Sequence, residues 1–131
     1  MKVYISGKIG EEVISEATRQ KFARAEEMLK AKGYEVFNPC DERWQEFLSL
    51  NWSAAAPVAV MDRYTYILLK DLQKLAKCDA IYMLADWTES DGANVELDFA
   101  RATRKQLFWE SEEDALVFNN DENPYSVWLP L

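Results

Sequence analysis

The chain alternates short apolar runs with longer stretches whose apolar residues recur every three to four positions, and this alternation limits the folds open to it. Val3–Ser6 is the first run, and Gly7 and Gly10 punctuate the loop after it. Ile14, Thr18, Phe22, Ala25 and Leu29 then fall at helical spacing, and Lys32-Gly33 is a helix stop. Tyr34–Phe37 reads as a second strand, ended by the turn pair Asn38-Pro39. Cys40–Pro57 is less regular: Trp44, Phe47 and Leu48 suggest a short helix, and Ala54-Ala55-Ala56-Pro57 a break. Met61–Lys77 reads as a helix with Tyr64, Leu68, Leu72 and Leu75 on one face. Ala80–Ala85 is apolar throughout, as a central strand covered on both faces should be. The loop Asp86–Gly92 leads to a helix at about Ala93–Thr103, and Gln106–Trp109 follows as a fourth strand. Ser111–Asp114 reads as an acidic turn, Ala115–Phe118 as a last strand, and residues 110–131 otherwise as an irregular tail.

Strands alternating with helices imply right-handed βαβ units and a parallel sheet covered on both faces. The expectation is one α/β domain over residues 1–131. It is three-layered and flavodoxin-like (Rossmann-like), with four or five strands in the order 2-1-3-4-5. Such sheets bind ligands beyond the carboxyl ends of the strands, at the switch point between strands 1 and 3. The loops that meet there are Ser6–Gly10 and Asp86–Gly92.

Composition narrows the chemistry. The 131 residues contain no histidine and only two cysteines, Cys40 and Cys78, far apart, so neither a zinc site nor a disulfide framework is expected. Acid–base chemistry would fall to carboxylates, Tyr, Lys or Cys. The net charge of −8 argues against a partner that is a nucleic-acid polymer. The longest apolar runs are far too short to span a bilayer, and the N-terminus has no signal-peptide pattern. A cytoplasmic protein without membrane partner, metal or cofactor is expected.

Several residues stand out near the switch point. Asp71 interrupts the stripe Tyr64, Leu68, Asp71, Leu75, where a carboxylate is costly unless paired. It is a functional acid, a stripe-edge residue with its head in water, or a salt-bridge partner of Lys70 or Lys74. Glu96 falls in the first turn of the helix after strand 3, where an acid favours the helix dipole. Yet Glu96, Ala100 and Thr103 share the face that looks inward. Tyr4 lies in strand 1 with its hydroxyl within reach of the crevice, or is a packing residue. Ser90-Asp91-Gly92-Ala93-Asn94 forms a helix N-terminus, whose free N–H groups favour anions. Ser6, Gly7, Ile9 and Asn38 complete the loops around the crevice as candidate substrate contacts. Trp87 either stacks on a base or covers the sheet edge or a dimer contact.

In this order and spacing, over roughly residues 2–105, these motifs resemble the nucleoside 2-deoxyribosyltransferase superfamily. Val3-Tyr4-Ile5-Ser6-Gly7 looks like its first strand and glycine loop. Asp71-Leu72 followed by Ala76-Lys77-Cys78-Asp79-Ala80-Ile81 looks like its helix-to-strand segment. Ser90-Asp91-Gly92-Ala93-Asn94-Val95-Glu96-Leu97 with Ala100 looks like its signature loop. The resemblance implies Glu96 as nucleophile on the anomeric carbon, Asp71 as the acid near base and ribose, and Tyr4 as the residue that orients Glu96. It also implies Ser90, Gly92 and Asn94 as substrate contacts. Deoxyribosyltransferases carry Asp six residues before the nucleophile, where this chain has Ser90. Serine there resembles the 2′-deoxynucleoside 5′-phosphate N-hydrolases, and a hydroxyl with helix N–H groups suits a phosphate. The partners so implied are a nucleoside or nucleotide and a second copy of the chain. Trp109, Tyr125 and Trp128 are the aromatic surface expected to form that homodimer or higher oligomer.

Overall fold

A computed structural model describes residues 1–10, 13–55, 62–119 and 126–131. Its strands are β1 (Lys2–Ser6), β2 (Glu35–Phe37), β3 (Ala80–Met83), β4 (Gln106–Trp109) and β5 (Ser126–Trp128). Its α-helices are α1 (Glu16–Ala31), α2 (Glu42–Ala55), α3 (Arg63–Ala76), α4 (Asp91–Ala102) and α5 (Glu112–Phe118). The strands pair in parallel in the order β2-β1-β3-β4-β5. This is the Rossmann-like α/β sheet, in the strand order that the alternation predicts.

The pleat of β1 divides the core and places the site. Val3 and Ile5 point to one face, where they pack with Phe22, Ala25 and Leu29 of α1 and with Tyr82 of β3. Tyr4 points to the other, among Leu75 of α3, Leu97 of α4 and Ile81 of β3. Ser6 follows Tyr4 by two residues and so shares its face. Helices α3 and α4 therefore lie over Tyr4 and Ser6, and any inward polar residue on them meets these two side chains. Each helix has a sequence-encoded start: Ser15, Asp62, Ser90 and Ser111 cap α1, α3, α4 and α5 through their side-chain oxygens. Gly33 ends α1 with φ +91°, a backbone conformation that glycine alone adopts without strain.

Several expectations need correction. The segment after Cys40 is not a short helix but the 14-residue α2, started by Asp41, whose carboxylate accepts from the amides of Arg43 and Trp44. Part of the expected break at Ala54–Pro57, from residue 56 on, lies outside the described residues, as does Met61. Ala115–Phe118 is helical, not a strand: Ser111 caps a first turn of Glu112, Glu113 and Asp114, which suits the helix dipole. The fifth strand lies instead at Ser126–Trp128, within the stretch expected to be irregular. Helix α4 begins at Asp91, so Glu96 lies beyond its first turn. On α3 the inward residues are Tyr66, Asp71 and Leu75, and Tyr64 is 58% exposed. Trp109 is not surface at all: flanked by β3 and β5, it is fully buried and stacks on Phe118. Tyr125 lies outside the described residues.

Candidate active site

Glu96 projects from α4 under the carboxyl ends of β1 and β3, and is 6% exposed. Both of its carboxyl oxygens are held. The Tyr4 hydroxyl donates to Oε2 at 2.5 Å, and the Ser6 hydroxyl donates to Oε1 at 2.7 Å. Tyr4 is itself pinned, fully buried and stacked on Phe37 at 5.4 Å with the rings 16° apart. Two hydroxyl donors fix the carboxyl plane and favour its anionic form. Burial opposes them and prevails, with help from the neighbouring Asp71 charge, so the Glu96 pKa rises to about 8. Burial, the Glu96 charge and the Asp71 charge hold the Tyr4 phenol protonated far into alkaline solution.

Asp71, 8% exposed, faces the sheet from α3. It does not bridge to Lys70 or Lys74. Its Oδ1 accepts from the indole N–H of Trp44 on α2 at 2.9 Å. Burial raises its pKa to about 7, and the Trp44 hydrogen bond pulls the other way. Three side chains from three elements thus form one electrostatic unit: Asp71 raises both Glu96 and Tyr4. Two buried carboxyls that titrate near neutrality can divide the labour, one ionised and one protonated.

The loops expected to hold substrate differ in how they are built. Gly7 is required by close approach, since a Cβ there would lie 2.7 Å from Leu84 Cδ1 and 3.2 Å from Asp86 Oδ1. Asp86 in turn accepts from the Lys8 amide and pairs with Lys21 at 2.5 Å, tying the loop after β1 to the loop after β3. Ser90 caps α4 by accepting from the Ala93 amide, which leaves its hydroxyl proton free for a ligand. Gly92 is half-buried beside it, with the Tyr64 hydroxyl 3.4 Å from where a Cβ would sit. Tyr64 therefore stands over the α4 N-terminus, and burial and the charges of Asp91 and Glu96 raise its phenol pKa. Ile9 is half-buried against the α1 side of the core.

Other candidates are engaged elsewhere. Trp87 offers no free face to a base: it is 8% exposed, packs against Trp109 and Phe118, and donates its indole N–H to Asp114. Asn94 donates to the carbonyls of Trp87 and Ser90, which fixes the start of α4. Asn38 donates to Glu26 and accepts from the Cys40 amide, closing the turn after β2. Ser6, expected to touch substrate, holds Glu96. Trp44 and Tyr64 are the residues that sequence reasoning missed as neighbours of the two acids. Tyr64 carried one signal, standing seven residues before Asp71 on the same helix face.

The chain shares its fold with solved structures of a 2-deoxyribosyltransferase and a CMP N-glycosidase. Residues 1–109 match the family model described as a domain of unknown function, DUF4406, and the chain belongs to that family. The structure is similar to that of a 2-deoxyribosyltransferase from Bacillus psychrosaccharolyticus, with a TM-score of 0.59 and 18% identity, over 100% of this chain and 87% of that one. It is similar to the CMP N-glycosidase BcmB of Clostridium botulinum, with a TM-score of 0.50 and 18% identity, over 100% and 88%. A conserved protein from Enterococcus faecalis V583 aligns with a TM-score of 0.51 and 16% identity, over 98% and 80%. No curated protein matches the sequence. Among the described residues no helix is long and apolar enough to cross a membrane.

Proposed function

We propose that the chain cleaves the N-glycosidic bond of a (deoxy)nucleoside 5′-monophosphate, with Glu96 as nucleophile and Asp71 as acid. The observation that carries this reading is the buried carboxyl of Glu96, gripped by Tyr4 and Ser6 and sensing Asp71. A residue with only a structural role gains nothing from burying a second acid nearby, whereas glycosyl transfer requires two. The fold shared with a 2-deoxyribosyltransferase and a CMP N-glycosidase supports the same chemistry.

The Glu96 carboxylate attacks C1′ as the C1′–N bond breaks. The bonding electrons leave with the base, which takes the proton of Asp71. Tyr4 and Ser6 keep the attacking oxygens aimed and give up no proton. Water then attacks C1′ of the glycosyl ester, Asp71 takes its proton, and the C1′–Glu96 bond breaks to release the sugar phosphate and restore both acids. Two displacements at one carbon retain its configuration. The Ser90 hydroxyl and the amides at the start of α4 receive the 5′-phosphate, with the Tyr64 hydroxyl beside them.

Incubation with nucleosides and nucleoside monophosphates, with free base as the readout, tests this reading. Faster base release from the monophosphates is the expected result. Equal or faster turnover of free nucleosides overturns the phosphate assignment. Transfer of the sugar to an added second base makes the chain a deoxyribosyltransferase, and tight nucleotide binding with no base released makes it a sequestering domain. The homodimer stays part of the proposal, now resting on exposed Trp128, Val127, Leu116 and Val117. A monomeric mass by light scattering at micromolar concentration removes it.

A further inference from the structure

A groove of about 440 Å³ runs between α2 and α3, within the range of ~300–1,000 Å³ usual for small-molecule clefts. Its walls include Arg43, Trp44 and Phe47 from α2, and Lys70, Lys74 and Lys77 from α3 and its cap. Neither Glu96 nor Asp71 lines it, and no carboxylate does. Four cations thus gather in one groove of a chain whose net charge is −8.

Helix stability accounts for them only in part: Lys74 in the last turn of α3 and Lys77 at its cap suit the helix dipole, and Lys70, further in, does not. Lys70, Lys74 and Lys77 stand at i, i+4 and i+7, where like charges repel. Among the described residues the ion pairs use Lys8, Arg19, Lys21, Lys30 and Arg43, so the three lysines have no carboxylate partner there. Lys74 lies over the Trp44 ring at 5.1 Å. The opposite wall is aromatic: Trp44 and Phe47 stack at 5.3 Å with rings 14° apart, and Phe47 is 45% exposed. A planar group laid on Phe47 would lengthen that stack. The lysines span about 10 Å of helix, further than one phosphate reaches.

We propose that this groove binds a nucleoside di- or triphosphate, with its phosphate chain along Lys70, Lys74, Lys77 and Arg43 and its base on Phe47. The site is separate from the crevice at Glu96 and does not depend on the reaction proposed there. A nucleotide is favoured over a nucleic-acid strand because the rest of a strand would run over a surface of net negative charge.

Calorimetric titration of the full chain at low salt tests the proposal, with adenosine triphosphate, tripolyphosphate, adenosine and a single-stranded oligonucleotide as probes. One adenosine triphosphate per chain is expected, bound more tightly than tripolyphosphate, with adenosine not measurable. The triple variant Lys70→Gln, Lys74→Gln, Lys77→Gln should melt as the parent does and bind adenosine triphosphate about tenfold or more weakly. Phe47→Ala should weaken adenosine triphosphate and leave tripolyphosphate unchanged. Unchanged affinity in the lysine variant overturns the proposal, as does the absence of binding by the parent. Tighter binding of the oligonucleotide, with several chains per strand, overturns it in favour of a polymer.

Discussion

Glu96 carries two opposed influences, and each can be altered alone. The hydroxyls of Tyr4 and Ser6 lower its pKa, while burial and Asp71 raise it to about 8. Asp71 has its own pKa raised to about 7. Turnover needs Glu96 ionised and Asp71 protonated, which is the minor singly protonated form because Glu96 is the weaker acid, so the rate should rise as the pair loses its first proton and fall as it loses its second. An optimum between about 7 and 8 is expected, with limbs that belong to the pair. Ser6→Ala removes one donor to the Glu96 anion and weakens further the weaker acid of the pair, so the falling limb should move to higher pH while the rising limb stays, which a pH series of base release will reveal. A falling limb that stays in place in Ser6→Ala detaches that limb from Glu96. Glu96→Gln keeps the shape of the side chain and still pairs with both hydroxyls, but an amide is no anionic nucleophile. Base release should fall by orders of magnitude while nucleotide binding persists, and near-parental turnover ends the mechanism.

Asp71 depends on a contact between elements, because its partner Trp44 stands 27 residues away on α2. Trp44→Phe keeps the stack on Phe47 and the edge contact with Phe37 but deletes the donor. The carboxyl is then left without that hydrogen bond, at a cost of about 1–3 kcal/mol. Because the lost bond favoured the anion, the Asp71 pKa should rise toward that of Glu96 and the rising limb of the pH–rate profile should move to higher pH. Parental stability together with an unmoved rising limb would make the Trp44 contact incidental. This pairing also shows where the sequence stops being legible. Strand order and the inward direction of Asp71 and Glu96 follow from local periodicity, and the sequence carries both. Which side chain faces Asp71 across two helices is a long-range fact that one chain's periodicity does not encode. The misread end has a local cause: Leu116 and Val117 look like strand residues, yet Ser111 and the three acids after it are a helix start. The three-residue β5 is too short to show an alternation, and its pairing with β4 buries a tryptophan that reads from sequence as part of a surface. Trp87 was open to two readings, and only the packing of Trp109 and Phe118 around it decides between them.

For the whole molecule, two buried acids make stability depend on pH in an unusual direction. Their ordinary values are 3.8 and 4.5, and folding raises them to about 7 and about 8. Between those limits the folded chain binds more protons than the unfolded one, so stability falls as pH rises. Their contribution is fully present below the ordinary values and is lost as pH passes through about 7 to 8. Ordinary salt-bridged carboxylates act oppositely, strengthening the fold as they ionise. The net charge of −8 also weakens the chain at high pH, so the parent's melting curve alone does not identify the cause. Glu96→Gln separates the two influences, because it changes the total charge by one unit and removes one buried titration entirely. Near pH 5.5 Glu96 is still protonated in the folded chain and ionised only in the unfolded one, so the variant should melt only slightly above the parent. Near pH 9 the parent holds an anion in its core and the variant does not, so the variant should melt higher by roughly 5 °C or more. A glutamate serving only the helix dipole predicts the reverse, a variant slightly less stable at neutral and alkaline pH. Melting curves that stay parallel from pH 5.5 to 9 would show that Glu96 titrates as an ordinary surface acid, and the nucleophile assigned to it would fall with its burial.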